Sequence, residues 1–271
     1  MDRVATLKRV LPYLREHRGK TFVIRLGGRA PREASARRGL VDDLSVLDGV
    51  GVRVVVVHDL GAAGGDALVA GLKATGALAV GLRAAELLDA NYVHSEATAE
   101  VQADANDHST SDAAALDPKL LRALTQGGFL AVIAADAAGA GAGLDADALA
   151  ERLAAALAAD KLFLLGDARG LHLDPDDPGS LLSWTDAEEI AVHLRRGAFA
   201  SDLRPTLELT LAALAAGVAK VHVASGLQPS ALLLEVFTNE GCGTLVVRDK
   251  GAHPVVSAAT APTPVAPALP A

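Results

Sequence analysis

Apolar positions along the chain fall into two alternating periodicities. Short runs at 21–26 (TFVIRL), 52–58 (VRVVVVH), 129–134 (FLAVIA), 161–165 (KLFLL), 220–224 (KVHVA) and 244–247 (TLVV) are nearly continuous, and several are rich in β-branched residues. Runs of this kind, bounded by Gly, Asp or Lys, suit strands buried on both faces of a parallel sheet. Between them apolar residues recur at helical spacing over 38–47, 66–76, 118–125, 145–158, 186–196, 205–216 and 230–237. Strands alternating with helices of that length predict a three-layer α/β/α sandwich around a central, mainly parallel sheet.

Boundary chemistry supports these elements. Thr185 followed by Glu188 fits a capping box, in which a hydroxyl and a carboxylate satisfy amides that the first turn leaves free. Pro118 and Pro205 stand at first turns, where a missing N–H is harmless. Gly49, Gly76, Gly127, Gly197 and Gly217 each follow a helical stretch, as a left-handed helix end favours. The polar stretch 93–111 reads as an edge hairpin or long loop, and the Gly/Ala run 139–143 as a loop. From 251 to 271 the chain is Pro- and Ala-rich and carries no charge, which predicts a disordered tail after a folded unit of 1–250. Within that unit an N-terminal lobe over about 1–137 and a C-terminal lobe over about 138–250 are expected.

Composition narrows the function classes. Of 271 residues 51% are hydrophobic but only 3% aromatic, so the core must be built from aliphatic and small side chains. So few aromatics, with a net charge of -8, argue against stacking on bases and gripping phosphate backbones, and no nucleic-acid partner is expected. The single Cys242 excludes an internal disulfide framework and a Cys-rich metal centre; no metal site is expected, and Cys242 has no basic neighbour to activate it. Charges run through the first twenty residues, unlike a signal peptide, and no stretch is long and apolar enough to span a bilayer. A cytoplasmic protein without a membrane partner is the expectation.

Three stretches add a resemblance. Residues 11–28 read LPYLREHRGKTFVIRLGG; residues 116–134 read LDPKLLRALTQGGFLAVIA, followed over 144–171 by LDADALAERLAAALAADKLFLLGDARGL; residues 217–247 read GVAKVHVASGLQPSALLLEVFTNEGCGTLVV. Together, in this order, they resemble the amino-acid kinase family, and within it the N-acetylglutamate kinases. The resemblance implies that family's fold, shortened in the N-terminal lobe, and transfer of the γ-phosphoryl group of ATP to a carboxylate. Such transfer depends on cations and amide dipoles arranged around the migrating group.

Carried over position by position, the family's pattern is altered. Its lysine before the first Gly-Gly corresponds to Arg25, ahead of Gly27 and Gly28; arginine keeps the charge but presents a larger, differently aimed fork. Its His-Gly-Gly-Gly loop reads His58, Asp59, Leu60, Gly61, which loses two glycines and sets a carboxylate where phosphate would lie. Its second lysine corresponds to Thr206, in SDLRPT over 201–206. Asp147, which would organise both lysines, and Asp167 of the nucleotide-side turn remain. The connection over 59–76 is too short for the family's hairpin lid and substrate-clamping arginine, and the stretch 143–147 lacks its substrate asparagine. One lost charge-stabilising donor typically costs about 2.7–4 kcal/mol, and several together imply a rate loss on the order of 10⁴ or more. The expectation is a pseudokinase with a regulatory, scaffolding or arginine-sensing role and no cofactor. The alternative is an active acetylglutamate-type kinase of arginine biosynthesis, using ATP and Mg²⁺, in which Arg25 and the segment Gly61 to Gly65 replace the lost groups.

Arginine-inhibited members of the family hold their effector beside the N-terminal helix, and the matching positions are Tyr13, His222, Glu235 and Gly241. A buried carboxylate there would pair with a guanidinium in bidentate fashion. The resemblance thus implies arginine as a ligand, self-association as a dimer or ring of dimers, and an active acetylglutamate kinase or another regulatory protein as partner. Plain structural roles stay open beside these. Arg25 can pair with Asp147, and Asp147 can serve as a first-turn acid on its helix. His58 can be a satisfied strand-end histidine, His222 can face a helix, and Glu235 needs some partner if buried.

Overall fold

The computed structural model describes residues 11–87, 116–135, 145–174, 176–238 and 241–251; the segments 93–111 and 139–143 and the tail beyond 251 lie outside them. The six apolar runs form strands β1 (Thr21–Leu26), β2 (Arg53–His58), β4 (Leu130–Ala134), β5 (Lys161–Gly166), β7 (Lys220–Ser225) and β8 (Thr244–Val247). Two further strands, β3 (Ala79–Arg83) and β6 (Trp184–Asp186), come from segments without a strand signature. All eight belong to one sheet in the order β3-β4-β2-β1-β5-β7-β8-β6. Every neighbouring pair is parallel except β7 with β8.

The helices are α1 (residues 11–17 of it described), α2 (Ala34–Gly49), α3 (Gly61–Ala74), α4 (Lys119–Gln126), α5 (Ala146–Ala156), α6 (Ala187–Arg195), α7 (Arg204–Ala215) and α8 (Ala231–Phe237). Strand alternation sends Val23, Leu162, Leu164, Val221 and Val223 to one face, where α4, α5, α6 and α7 cover them. Phe22, Ile24, Leu26, Phe163 and Leu165 point to the other face, under α2, α3 and α8. The result is the three-layer sandwich that the two periodicities predict, with β1 and β5 at its centre.

Several boundaries differ from the expectation for local reasons. Asp186 caps α6, its carboxylate accepting from the Glu189 amide at 2.9 Å, while the Thr185 hydroxyl donates to the Glu189 side chain at 2.7 Å. The capping box of Thr185 and Glu188 is therefore not formed; a charged acceptor one residue later takes the position. Helix α3 begins at Gly61, so Gly61 to Gly65 are its first turns rather than a loop. The left-handed turns after α2 and α4 fall on Gly51 and Gly128, not on Gly49 and Gly127.

Asp43 ties the layers together in a way the pattern did not single out. It lies on the α2 face that carries Leu40, Leu44 and Leu47, is buried, and its carboxyl is drawn down by the Leu232 and Leu233 amides at the start of α8. It stands beside the first turn of α8, where Ser230 makes no side-chain cap. Burial pushes the Asp43 carboxyl up to about 6, against the pull of those amides.

Candidate functional site

A cleft of about 320 Å³ opens where β1, β5 and β7 end, between the glycine turn after β1 and the starts of α5 and α7. It brings together Arg25, Gly27, Gly28, Asp147, Asp167 and Thr206, residues far apart in sequence. Parallel strands ending on one side, with helices starting above them, build such a crevice as a matter of topology. His58 and Gly61 are not in its lining.

Among the described residues that line it, Arg25 is the sole cation, set against Asp147, Asp167 and Asp202. Its side chain is 12% exposed. Its Nε donates to Asp147 Oδ1 at 2.6 Å, Nη2 donates to Asp59 Oδ2 at 3.2 Å, and Nη1 donates to the Leu26 carbonyl. Asp147 is held in place by its position in the first turn of α5, which Asp145 caps through the Ala148 amide at 2.7 Å. Asp59 is shared, since Arg32 Nη2 donates to its other oxygen, Oδ1, at 3.0 Å. The guanidinium is therefore neutralised on two edges by the protein itself.

The glycine turn is closed in the same manner. The Gly27 amide donates to the Leu165 carbonyl at 2.8 Å, and the Arg29 amide donates to Asp167 Oδ1 at 2.8 Å. Arg29 also pairs with Asp167 through its side chain. Gly28 has φ +66, and a Cβ on it would lie 2.5 Å from Asp167 Oδ1, so only glycine permits this approach. Asp167 thus sits in the seat that an anion would take at this turn. Thr206, in the first turn of α7, brings no charge. The donors on Arg25 and at the glycine turn are thus engaged by the chain's own carboxylates.

His58 is buried at the end of β2, where burial lowers its basicity, and its Nδ1 accepts from the Leu60 amide at 3.2 Å. The ring packs against Gly65, where a Cβ would come within 2.8 Å of it. It is a packed residue supporting the start of α3. Gly61 likewise belongs to that helix.

The second predicted group lies on the opposite face of the sheet. His222 Nδ1 and Glu235 Oε2 are 2.8 Å apart and both side chains are buried. Burial pushes His222 down to about 4, so the ring is neutral near pH 7 and donates its Nδ1–H to the carboxylate. Burial alone would raise Glu235, but His222 and the amides of Cys242 and Gly243 outweigh it and hold the carboxyl low. Those two amides donate to Oε1 at 2.6 and 2.7 Å. Gly241 lies against the same carboxylate. Glu235 is in this way a staple joining α8, β7 and the turn before β8. The His222 ring stacks on Phe163 with centroids 4.7 Å apart, and its buried Nε2 has no hydrogen-bond partner among the described residues. Tyr13 lies half-buried on α1, one turn before His17, whose Nε2 is 3.1 Å from the Val236 carbonyl of α8. Burial pushes the Cys242 thiol up to about 12, which leaves it unreactive.

Three participants were not singled out by their sequence: Arg32, Arg29 and Asp43. Arg29 and Arg32 stand among several other arginines, and only the turn around Ala30–Arg32 shows which carboxylates they meet. Asp43 does leave a signal, an acid at an apolar position of an amphipathic helix, which must find a partner.

The comparisons with known proteins bear on family and fold. The family model described as "Amino acid kinase family" matches residues 20–225. The acetylglutamate kinase of Symbiobacterium thermophilum is 33% identical over 290 residues, covering 92% of this chain and 98% of the relative. That of Synechococcus sp. is 34% identical over 284 residues, covering 90% and 97%. Among solved structures, N-acetylglutamate synthase from Neisseria gonorrhoeae complexed with coenzyme A and N-acetyl-glutamate matches with TM-score 0.72 at 23% identity, covering 92% of this chain. This chain spans only 64% of that synthase, and 66% of it in its complex with coenzyme A and L-arginine. Carbamate kinase from Giardia lamblia bound to AMP-PNP matches with TM-score 0.58 at 16% identity, covering 85% and 99%. With the family's model spanning most of the folded residues and its relatives aligned nearly end to end, the chain belongs to the amino acid kinase family.

Proposed function

We propose that this chain is a member of the family that does not transfer phosphate and serves a regulatory or scaffolding role, a pseudokinase. One observation carries the reading: Arg25, the sole cation among the described residues lining the cleft, is bound by Asp147 and Asp59, and the start of α7 offers Thr206 where the resemblance implies a lysine. Phosphoryl transfer gains most of its acceleration from positioned positive charge, and a guanidinium already facing two carboxylates supplies little of it. Titration of MgATP into the protein, followed by calorimetry, tests this directly. No saturable heat is expected; saturable binding would speak for a working nucleotide site.

A second reading is an active acetylglutamate-type kinase, and the names of the curated relatives favour it, at 33–34% identity over almost the whole chain. It requires Arg25 to exchange Asp59 for phosphoryl oxygens during turnover. ADP formation that depends on acetylglutamate would establish it.

An arginine-sensing role draws its support from the gonococcal synthase complexed with L-arginine, which shares this fold. Against it stands the engagement of both Glu235 oxygens by protein donors, which a guanidinium would have to displace. Millimolar arginine should raise the melting temperature if the role holds, and Glu235→Gln should abolish that rise.

A further inference from the structure

Asp59 stands at the end of β2, and its two carboxylate oxygens are divided between two guanidiniums from different elements. Arg25 on β1 holds Oδ2 at 3.2 Å, and Arg32, at the end of the turn Ala30–Arg32, holds Oδ1 at 3.0 Å. A pair of guanidiniums presenting one N–H to each of two oxygens is a recognition geometry for carboxylate or phosphoryl groups. The fork on the Arg25 side does not depend on Asp59 for its aim. Its Nε is fixed by Asp147 at 2.6 Å and its Nη1 by the Leu26 carbonyl, so Nη2 is left as the donor facing Asp59.

The three side chains differ in how firmly they are held. Arg25 is 12% exposed, whereas Asp59 is 39% and Arg32 54% exposed. Ion pairs at such exposure are weak and exchange readily. Asp59 can therefore leave the pair without disturbing a packed core, while Arg25 cannot.

From this we infer that Arg25 and Arg32 form an oxyanion seat beside the cleft, which Asp59 occupies in cis. The ligand class is a terminal phosphoryl or carboxylate group with two free oxygens. Asp59 acts as an intramolecular competitor for that group, and Arg32 is the seat's second arm. The inference deepens the pseudokinase reading and shares Arg25 with the cleft, but its test measures anion binding and not turnover. Turnover by the unaltered chain would overturn the pseudokinase reading without touching this one.

The test compares the full-length protein with Asp59→Asn and with the double variant Asp59→Asn/Arg32→Ala, titrating inorganic phosphate and sodium acetate separately by calorimetry. Removing the competing carboxylate should tighten binding of at least one of the two anions by about tenfold or more, the scale of one charge-assisted hydrogen bond. Adding Arg32→Ala should cancel the gain. Equal affinities in the unaltered chain and Asp59→Asn would overturn the inference, and so would a gain that survives loss of Arg32. Circular dichroism checks folding, and Asp59→Gly replaces Asp59→Asn in the same comparison if the latter does not fold.

Discussion

Glu235 shows how one buried carboxylate can be fully spent on structure. It accepts from His222, Cys242 and Gly243, and removing it would leave His222 and two amides without their acceptor. Glu235→Ala should therefore destabilise the fold by at least about 1–3 kcal/mol in urea denaturation, the cost of leaving a buried donor unsatisfied. The same pair sets an acid limit. His222 is pushed from 6.5 down to about 4, so the unfolded chain takes up a proton that the folded chain refuses. Its contribution to stability is complete above 6.5 and is lost as the pH falls toward 4; the lowered Glu235 adds to the loss below its ordinary value of 4.5. Asp43 works with the opposite sign. Its carboxyl is raised from 3.8 to about 6, so the stability tied to it is present below 3.8 and is lost as the pH rises through 6. Asp43→Asn keeps an acceptor for α8 and removes that loss. The variant should be more stable than the parent above pH 6, by on the order of 1 kcal/mol, and should lose stability more steeply on acidification. Urea midpoints measured from pH 7.5 to 4.5 would settle this, and parallel profiles for the two proteins would contradict it.

At the scale of elements, α8 is fastened at both ends and in its middle. Asp43 stands beside its start, Glu235 pins its centre to β7, and the Thr238 hydroxyl closes its end on the Leu234 carbonyl at 2.7 Å. The turn after β1 is fastened comparably through Asp167. Gly28→Ala would set a methyl group 2.5 Å from Asp167 Oδ1 and 3.0 Å from its amide, at a φ of +66. A loss of about 1–3 kcal/mol is expected, read as a lowered melting temperature. Elements of this kind differ in how far the chain announces them. The central strands were legible because both faces are buried, which leaves a continuous apolar run such as VRVVVVH at 52–58. β3 escaped because it lies at the sheet's edge, buried at Ala79 and partly open beyond it. β6 escaped because it is three residues long and its partner, β8, is about sixty residues away. In the cleft, Arg25, Asp147 and Asp167 could be placed from their segments. The bridge from Arg25 through Asp59 to Arg32 could not, because a short turn decides which of several arginines meets the carboxylate.

On the scale of the whole molecule, one sheet serves two chemically different faces. The C-terminal ends of β1, β5 and β7 carry the cleft with its paired charges, and the face beneath α8 carries the buried pair of His222 and Glu235. Most of their polar groups are paired within the chain, His222 Nε2 excepted. Association with a second copy or with an active kinase follows from the pseudokinase reading, and light scattering on the purified chain should give a mass above 27.6 kDa. The most direct measurement is MgATP-dependent phosphorylation of acetylglutamate by the purified chain, followed as ADP release. A rate no greater than that without protein is expected. Saturable ADP release that requires acetylglutamate and is lost in Arg25→Ala would contradict it.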